Sequence, residues 1–544
     1  VSAHAVMQFL LAIAAIVVLA RVLGRLARLV GQPPVVGEIL AGVLIGPSLF
    51  GTAVTDALLP ADIRPALSGL ANLGLVLFMF IVGYELDQAS LRGRGPAATS
   101  VSIGSVVVPL GLGVALALWL AGRHGVTDEV PFALFIGAAM SVTAFPVLAR
   151  ILTDRGMVRT PVGGLALASA AVDDVVAWSL LAVVVGIAGA DGGSSWLILL
   201  SVPYMLVMLM VVRPLLRRLV AARDRAGRLT PDLLAVVLTG ALLSCVATEW
   251  LGLHAIFGAF LFGAVMPKTG TGDVLRVEIL ERLEQVSVLL LLPVFFVLSG
   301  LRVDLSTIGG TGLLELGAIL AVAIGGKFAG AYVAARLNRV ESRQAGALAI
   351  LMNTRGLTEI VILTVGLQLG LIDQRVFSMM VVMALVTTAM AGPLLALVYP
   401  QRRIDRDILQ AEREAAAGPV SYRVLVAPPG GGPPPPPPPP PPAGAPAPDG
   451  PAEVVLSRLV PYPATPLEVG SGLSEELLVM TAAMDELAGL AESVRARGLA
   501  APVLVRFTRD PESDLAAQVD AVRPDILLTS AGREVIGRPR VTRT

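Results

Sequence analysis

Pro161-Val-Gly-Gly-Leu-Ala-Leu-Ala-Ser-Ala-Ala-Val-Asp-Asp-Val-Val-Ala-Trp-Ser-Leu-Leu-Ala-Val-Val-Val-Gly186 is apolar for long enough to cross a bilayer, yet it carries two adjacent aspartates, Asp173 and Asp174, at its middle. On the insertion scale each aspartate at the centre of a spanning helix costs about 2.5–3.5 kcal/mol, so the pair opposes insertion by about 5–7 kcal/mol. Ionisable groups at that depth face a bundle interior or a watery cavity and mark an ion or proton path. A pair that merely packed helices would leave that cost without return.

The rest of the chain fixes the setting. With 544 residues, 55% hydrophobic, 15% charged and a mean hydropathy of +0.79, this is an all-α polytopic membrane protein with a small soluble tail. The formal net charge of zero argues against a nucleic-acid partner, and the single cysteine, Cys245, lies in an apolar run and reads as a small core residue. Apolar runs predict about thirteen spans, near 5–23, 33–50, 66–84, 97–121, 131–151, 162–189, 196–220, 231–249, 252–267, 285–301, 313–336, 344–370 and 375–399. The first run lacks a small-residue cleavage site and reads as a retained span.

Arginines cluster in alternate loops: Arg21, Arg25 and Arg28; Arg92 and Arg94; Arg150, Arg155 and Arg159; Arg213 to Arg228; Arg276 and Arg282; Arg336, Arg339 and Arg343; Arg402, Arg403 and Arg406. By the positive-inside rule these loops are cytoplasmic, which puts the N-terminus outside and the C-terminus in the cytoplasm of a multi-pass cell-membrane protein. An odd number of spans demands the same arrangement.

Residues 1–400 thus form the membrane domain. A charged, alanine-rich stretch, 401–420, reads as a cytoplasmic linker helix, and 421–544 as a small cytoplasmic α/β domain with strands near 422–427, 453–459, 502–507 and 525–529 and helices near 475–497 and 512–522. A proline-rich insert, 428–451, interrupts it; its uninterrupted prolines, 433–442, leave no backbone donor for a ladder. The tail resembles a degenerate universal-stress-type domain. It has no GxGxxG fingerprint, and Gly532 and Gly537 lack phosphate-cradling spacing.

Three further features bear on the aspartates. The fifth span, Phe135-Ile-Gly-Ala-Ala-Met-Ser-Val-Thr-Ala-Phe-Pro-Val-Leu-Ala-Arg150, has Ser141, Thr143 and Pro146 at its middle; the proline frees a carbonyl one turn earlier, so the helix should unwind near Thr143. The twelfth span, Leu351-Met-Asn-Thr-Arg-Gly-Leu-Thr-Glu-Ile-Val361, carries Asn353, Thr354, Arg355, Gly356, Thr358 and Glu359 at the same depth, too many polar groups for a lipid-facing helix. The two spans run antiparallel, and two crossed discontinuous helices of opposite direction are the mark of inverted-repeat secondary transporters. Lys327 lies well inside the eleventh span, where it needs a carboxylate or must lose its proton.

Met140-Ser-Val-Thr-Ala-Phe-Pro-Val-Leu-Ala-Arg-Ile-Leu152, Ala170-Ala-Val-Asp-Asp-Val-Val-Ala-Trp178, Pro34-Val-Val-Gly-Glu-Ile-Leu-Ala-Gly-Val-Leu-Ile-Gly-Pro47, Leu292-Pro-Val-Phe-Phe-Val-Leu-Ser-Gly300 and Asn353-Thr-Arg-Gly-Leu-Thr-Glu359 fall in order on separate spans. Over residues 5–400 the chain resembles the monovalent cation:proton antiporter-2 family. Spans five and twelve are similar to the plant and fungal cation/proton exchanger branch. That branch usually has Asn before the essential Asp, whereas the paired aspartates with Lys327 are similar to electrogenic bacterial sodium/proton antiporters. The resemblance implies a homodimer without cofactors that exchanges Na+ or K+ for protons. It assigns Asp174 as the ion- and proton-binding carboxylate and Asp173 to a charge pair with Lys327. Asp174, Thr143 and loosened carbonyls of span five would supply hard oxygens, with no metal site beyond the transported cation. A medium of low dielectric penalises a bare carboxylate charge, so one group can hold a proton or a cation, and mutual exclusion suffices for antiport. If the Asp173–Lys327 pair also titrated, two protons could move per cation.

Other readings stand beside these. Lys327 could snorkel; Arg355 and Glu359, four apart on one helix, read as an internal structural ion pair rather than ligands; Ser141 and Thr143 could back-bond to their own helix. Glu38 in span two reads as a packing or gating carboxylate. His4, His124 and His254 all fall near external ends, away from any cytoplasmic sensor or metal site. The rival function is a ligand-gated K+ efflux protein of the same superfamily, whose usual Rossmann regulator is not read in this sequence. A channel would need a carbonyl-lined filter, for which no loop signal stands out.

Overall fold

A computed structural model of the chain describes residues 3–50, 52–85, 95–126, 128–155, 157, 160–189, 200–251, 253–267, 271–404, 406, 407 and 410, and further on 422–427, 452–461, 483, 484, 486–496, 499–508, 510–529 and 532–535. Two compact units emerge: one comprises chiefly Val1–Leu152 and Val162–Tyr399, the other chiefly Pro400–Leu467 and Gly472–Thr544.

In the larger unit, eight helices among the described residues are long and apolar enough to cross a membrane, from Ala3–Leu29 to Gln374–Val398. Shorter apolar helices, Pro34–Ile45, Glu129–Ser141, Ala255–Val265 and Thr358–Gln368, accompany them. The elements that surround the aspartates are α1 (Gly95–His124), α2 (Glu129–Ser141), α3 (Phe145–Asp154), α4 (Pro161–Gly189), α5 (Ala255–Val265), α6 (Gly310–Leu337), α7 (Ser342–Met352), α8 (Leu357–Gln368) and α9 (Gln374–Val398).

The expected fifth span is therefore two half-helices, α2 and α3, joined by the non-helical residues Val142, Thr143 and Ala144. The cause is local: Pro146 has no N–H for the carbonyl four residues back, Val142, and that residue turns extended, with φ −69° and ψ 141°. The twelfth span breaks likewise into α7 and α8 around Asn353–Gly356. Two other spans contain π-turns, Met208–Val212 and Ser287–Leu291, each just upstream of a proline, Pro214 or Pro293. The missing proline donor again accounts for them.

Small residues let α1 and α6 approach closely. A Cβ added at Gly330 would lie 2.1 Å from the Gly104 carbonyl oxygen, so only glycine permits the contact. Lys327 sits one turn before Gly330 on α6, and Ser102 and Ser105 flank Gly104 on α1. The close approach delivers these side chains to the same place.

In the smaller unit, β1 (Tyr422–Val426), β2 (Ala452–Pro461), β3 (Val503–Thr508), β4 (Ile526–Thr529) and β5 (Gly532–Val535) form one sheet in the order β3-β2-β1-β4-β5. All neighbours are parallel except β4 and β5. Alternation along the strands fills both faces: Val424, Val426, Val454 and Leu456 pack on one, Leu425, Val455, Leu504 and Leu527 on the other with Val522 of α10 (Pro511–Val522). β5 lies beyond the strands read from sequence, over the glycine-containing end. The described part of the helix expected near 475–497 covers chiefly 486–496. Most of the linker 401–420 and the proline-rich insert lie outside the described residues.

Candidate functional site

The two breaks meet. The backbone N–H of Ala144 donates to the Thr354 carbonyl at 3.0 Å, joining the non-helical segments of the two interrupted helices. Four half-helices thus end around one point, and their terminal groups must find partners there, because lipid offers none. Arg355, wholly buried, meets much of this demand. Its Nη1 donates to the Ala139 carbonyl (3.0 Å) and its Nη2 to the Met140 carbonyl (2.6 Å), both in the last turn of α2. A guanidinium at a helix C-terminus also opposes the negative end of the dipole. The same Nη1 lies 3.0 Å from Glu359 Oε1, an i,i+4 pair buried on both sides. The Arg355 N–H donates to Thr388 Oγ1, and the Thr388 hydroxyl returns a hydrogen bond to the Arg355 carbonyl.

Asp173 and Asp174 lie beside this crossing on α4, and the roughly 100° between successive helical residues separates their environments. Asp173 is fully buried and saturated with donors. Ser102 Oγ reaches its Oδ1 at 2.5 Å, while Ser105 Oγ (2.9 Å) and Thr143 Oγ1 (2.7 Å) reach Oδ2. Lys327 Nζ stands 3.4 Å from the same Oδ2 and 2.5 Å from Thr143 Oγ1. Thr143 Oγ1 also lies 3.0 Å from the Met352 carbonyl at the end of α7. Lys327 is wholly buried, so it does not snorkel.

Asp174 is the opposite case. It is 4% exposed, and its Oδ1 is buried with no hydrogen-bond partner among the described residues. An acceptor oxygen bearing negative charge and lacking donors is suited to a cation, a proton or water.

Of the residues read from sequence, the structure brings together Asp173, Thr143, Lys327, Arg355 and Glu359 around the crossing. The Thr143 hydroxyl, expected beside Asp174, is engaged with Asp173, Lys327 and Met352 instead. Ser141 back-bonds to the Ala138 carbonyl at 2.7 Å and so belongs to its own helix. Pro146 stands near the start of α3, where it causes the break. Asn353 is buried, its Oδ1 without a partner among the described residues. Glu38 is buried on Pro34–Ile45, where its Oε2 likewise has no partner among the described residues.

Two groups escaped the sequence reading. Ser102 and Ser105 supply two of the hydroxyls on Asp173; their signal was a pair of serines three apart in an apolar span, one helical face. His124, expected only near an external end, closes one end of α1: Nδ1 faces Asp373 Oδ2 at 2.9 Å and Nε2 faces Glu315 Oε2 at 3.3 Å, with Arg375 3.0 Å from the same Glu315 oxygen. That cluster ties the ends of α1, α6 and α9 together.

Residues 12–399 match the family model described as "Sodium/hydrogen exchanger, transmembrane". Similar curated proteins include Na(+)/H(+) antiporter NhaS4 of Synechocystis sp., 41% identical over 394 residues covering 71% of this chain and 95% of that protein. Cation/H(+) antiporter 17 of Arabidopsis thaliana is 38% identical over 73% of this chain and 49% of its own length. K(+)/H(+) antiporter 1 of Saccharomyces cerevisiae is 34% identical over 69% of this chain and 44% of its own length. The chain thus spans nearly all of the cyanobacterial relative and about half of the plant and yeast ones. Among solved structures, the sodium proton antiporter MjNhaP1 from Methanocaldococcus jannaschii superposes with a TM-score of 0.53, covering 74% of this chain and 99% of that one; at 16% identity the likeness is one of fold.

Proposed function

Because the chain belongs to the sodium/hydrogen exchanger family through residues 12–399, we propose that it exchanges a monovalent cation, Na+ or K+, for protons, with Asp174 as the single carboxylate for which the two compete. The observation that carries this reading is the contrast between neighbours: Asp173 has three hydroxyls and the Lys327 ammonium within reach of its oxygens, whereas Asp174 Oδ1 is buried with no donor among the described residues.

A buried carboxylate without a partner is costly while ionised, and either a cation or a proton relieves it. Each cargo excludes the other, so loading from one face and release at the other exchanges them. Backbone carbonyls of the non-helical segment 142–144 are the further oxygens nearest in kind to what an alkali cation requires. Lys327, held to Asp173 and Thr143, keeps its positive charge close to the cargo, and deprotonation of that pair is the route by which a second proton could be counted. Alternating access follows as rocking of the element carrying α4 against its neighbours. The protein works in the cell membrane with its tail in the cytoplasm, as a homodimer.

The test is cation-driven proton movement in proteoliposomes, with Na+, K+ and Li+ supplied separately and a membrane potential imposed. Wild type releases protons with at least one of them, and Asp174→Asn loses the exchange. Cation-dependent proton flux retained in that variant would overturn the assignment.

A further inference from the structure

Trp178 follows Asp174 by four residues on α4, so the two side chains lie one turn apart on one face. Trp178 is 3% exposed, and its indole Nε1 is buried without a hydrogen-bond partner among the described residues, as is Asp174 Oδ1. Tryptophan N–H groups that are buried ordinarily find an acceptor. Two orphaned atoms of opposite character, a donor and an acceptor, on neighbouring positions of one helix face point to a partner held in common.

The indole is also fixed in place. Its ring meets Phe257 edge to face, with centroids 6.4 Å apart and planes at 82°, and Phe260 at 5.9 Å and 37°. Both phenylalanines stand on α5, so the ring body is committed to packing between α4 and α5. Only the N–H edge is left to act on a ligand.

An indole N–H cannot ligate a cation; it can only donate. A carboxylate oxygen can ligate a cation or accept a hydrogen bond. A water molecule on a cation satisfies both, since one lone pair faces the ion and the other accepts from the indole.

We infer that Trp178 is a specificity-determining residue that holds a hydration water of the cation bound at Asp174. This rests on the antiport reading and deepens it. The transported ion enters only partly dehydrated, and the spacing between Asp174 Oδ1 and Trp178 Nε1 selects among alkali cations by the size of the ion–water unit that bridges them. When a proton replaces the cation, the carboxyl group donates to the same water, so the indole stays paired in both loaded states.

Trp178→Phe retains the aromatic packing and removes the N–H. In proteoliposomes this variant is expected to raise the apparent KM for the preferred cation about tenfold, leave kcat within about twofold, and narrow the KM ratios among Na+, K+ and Li+. An unchanged KM and unchanged ratios, or a loss confined to kcat, overturns the inference. A second measurement does not depend on that variant folding. With Trp119, Trp196 and Trp250 replaced by Phe, the remaining Trp178 fluorescence is titrated with NaCl, KCl and LiCl in detergent. A saturable change, absent after Asp174→Asn, supports the inference; no change with any cation in protein that still exchanges overturns it. Wild-type protein that exchanges no alkali cation yet shows the saturable, Asp174-dependent change would sink the antiport reading and leave the water-holding role standing. If neither exchange nor fluorescence responds, both fall.

Discussion

Ala144 and Thr354 are joined backbone to backbone, N–H to carbonyl at 3.0 Å, although 210 positions separate them in sequence. Each residue lies in the non-helical middle of a broken span, where a helix has given up its own ladder. One bond made across the crossing gives a donor of one break and an acceptor of the other a partner, and it ties the ends of α2, α3, α7 and α8 together. Arg355 completes the junction from the α7–α8 side by capping the carbonyls of Ala139 and Met140.

Arg355 is therefore expected to be structural before it is anything else. Arg355→Ala strips two terminal carbonyls and Glu359 of their donor, and breaking a buried pair from one side costs about 3–5 kcal/mol. The variant should melt far below wild type in detergent, as read by fluorescence-detected size exclusion after heating. Arg355→Lys should fall between, because an ammonium cannot reproduce a planar fork on several acceptors.

Asp173 and Lys327 should show strong coupling. Asp173→Asn or Lys327→Met alone leaves a buried charge without its counterpart, at about 3–5 kcal/mol. The double variant should recover part of that loss, giving a coupling of about 0.5–3 kcal/mol in a thermal double-mutant cycle. Strictly additive losses would mean that the 3.4 Å approach contributes nothing.

Ser102→Ala and Ser105→Ala each delete a hydrogen bond to a charged group, worth about 1.5–3 kcal/mol. The effect should shrink markedly once Asp173 is Asn, because a neutral amide no longer rewards the hydroxyls in the same way. Melting of the singles in both backgrounds decides it; equal losses in the two backgrounds would show that the serines act on helix packing alone.

Away from the membrane interior, Arg223 of Arg213–Ala226 meets Glu278 of Thr271–Val286 through two donors, Nη2 at 2.7 Å and Nε at 3.2 Å. The side-chain hydrogen bond from Arg223 holds the Glu278 carboxyl below its ordinary value of 4.5. A depressed carboxylate contributes stability that is fully present above about 4.5 and is lost as pH falls through the lower folded-state value. Glu278→Gln should thus lower the melting temperature slightly at pH 7 and leave it nearly unchanged near pH 3. Added salt should weaken the wild-type advantage, since both groups are partly exposed.

Much of this arrangement could be read from residues alone because the membrane makes polar groups expensive. Asp173, Asp174, Lys327 and Arg355 each stand out against apolar surroundings, and Pro146 marks a break that chain chemistry alone requires. The weaker signals belong to groups that cost little in a helix. A serine can satisfy its own hydroxyl by back-bonding, as Ser141 does; Ser105 Oγ lies 3.0 Å from the Ser102 carbonyl of its own helix as well as 2.9 Å from Asp173, so the three-residue spacing of Ser102 and Ser105 marks a shared face and not the carboxylate it meets. Which hydroxyl serves which aspartate depends on the α1–α6 approach at Gly104 and Gly330, a contact between positions far apart in the chain. Pro146 marks the division into α2 and α3, and the polar run Asn353–Glu359 marks the depth at which α7 gives way to α8. β5 escaped because four residues over a glycine carry too short a pattern to read.

Thr143 has one hydroxyl hydrogen and faces two acceptors, Asp173 Oδ2 at 2.7 Å and the Met352 carbonyl at 3.0 Å, while Lys327 donates to its oxygen. The hydrogen can serve only one of them at a time. A rotation about a single C–O bond therefore decides whether the carboxylate or the end of α7 goes short, and the choice changes the local dipole without moving a heavy atom. Substitution by valine, which keeps the shape and deletes the rotor, would freeze that decision in the direction of neither.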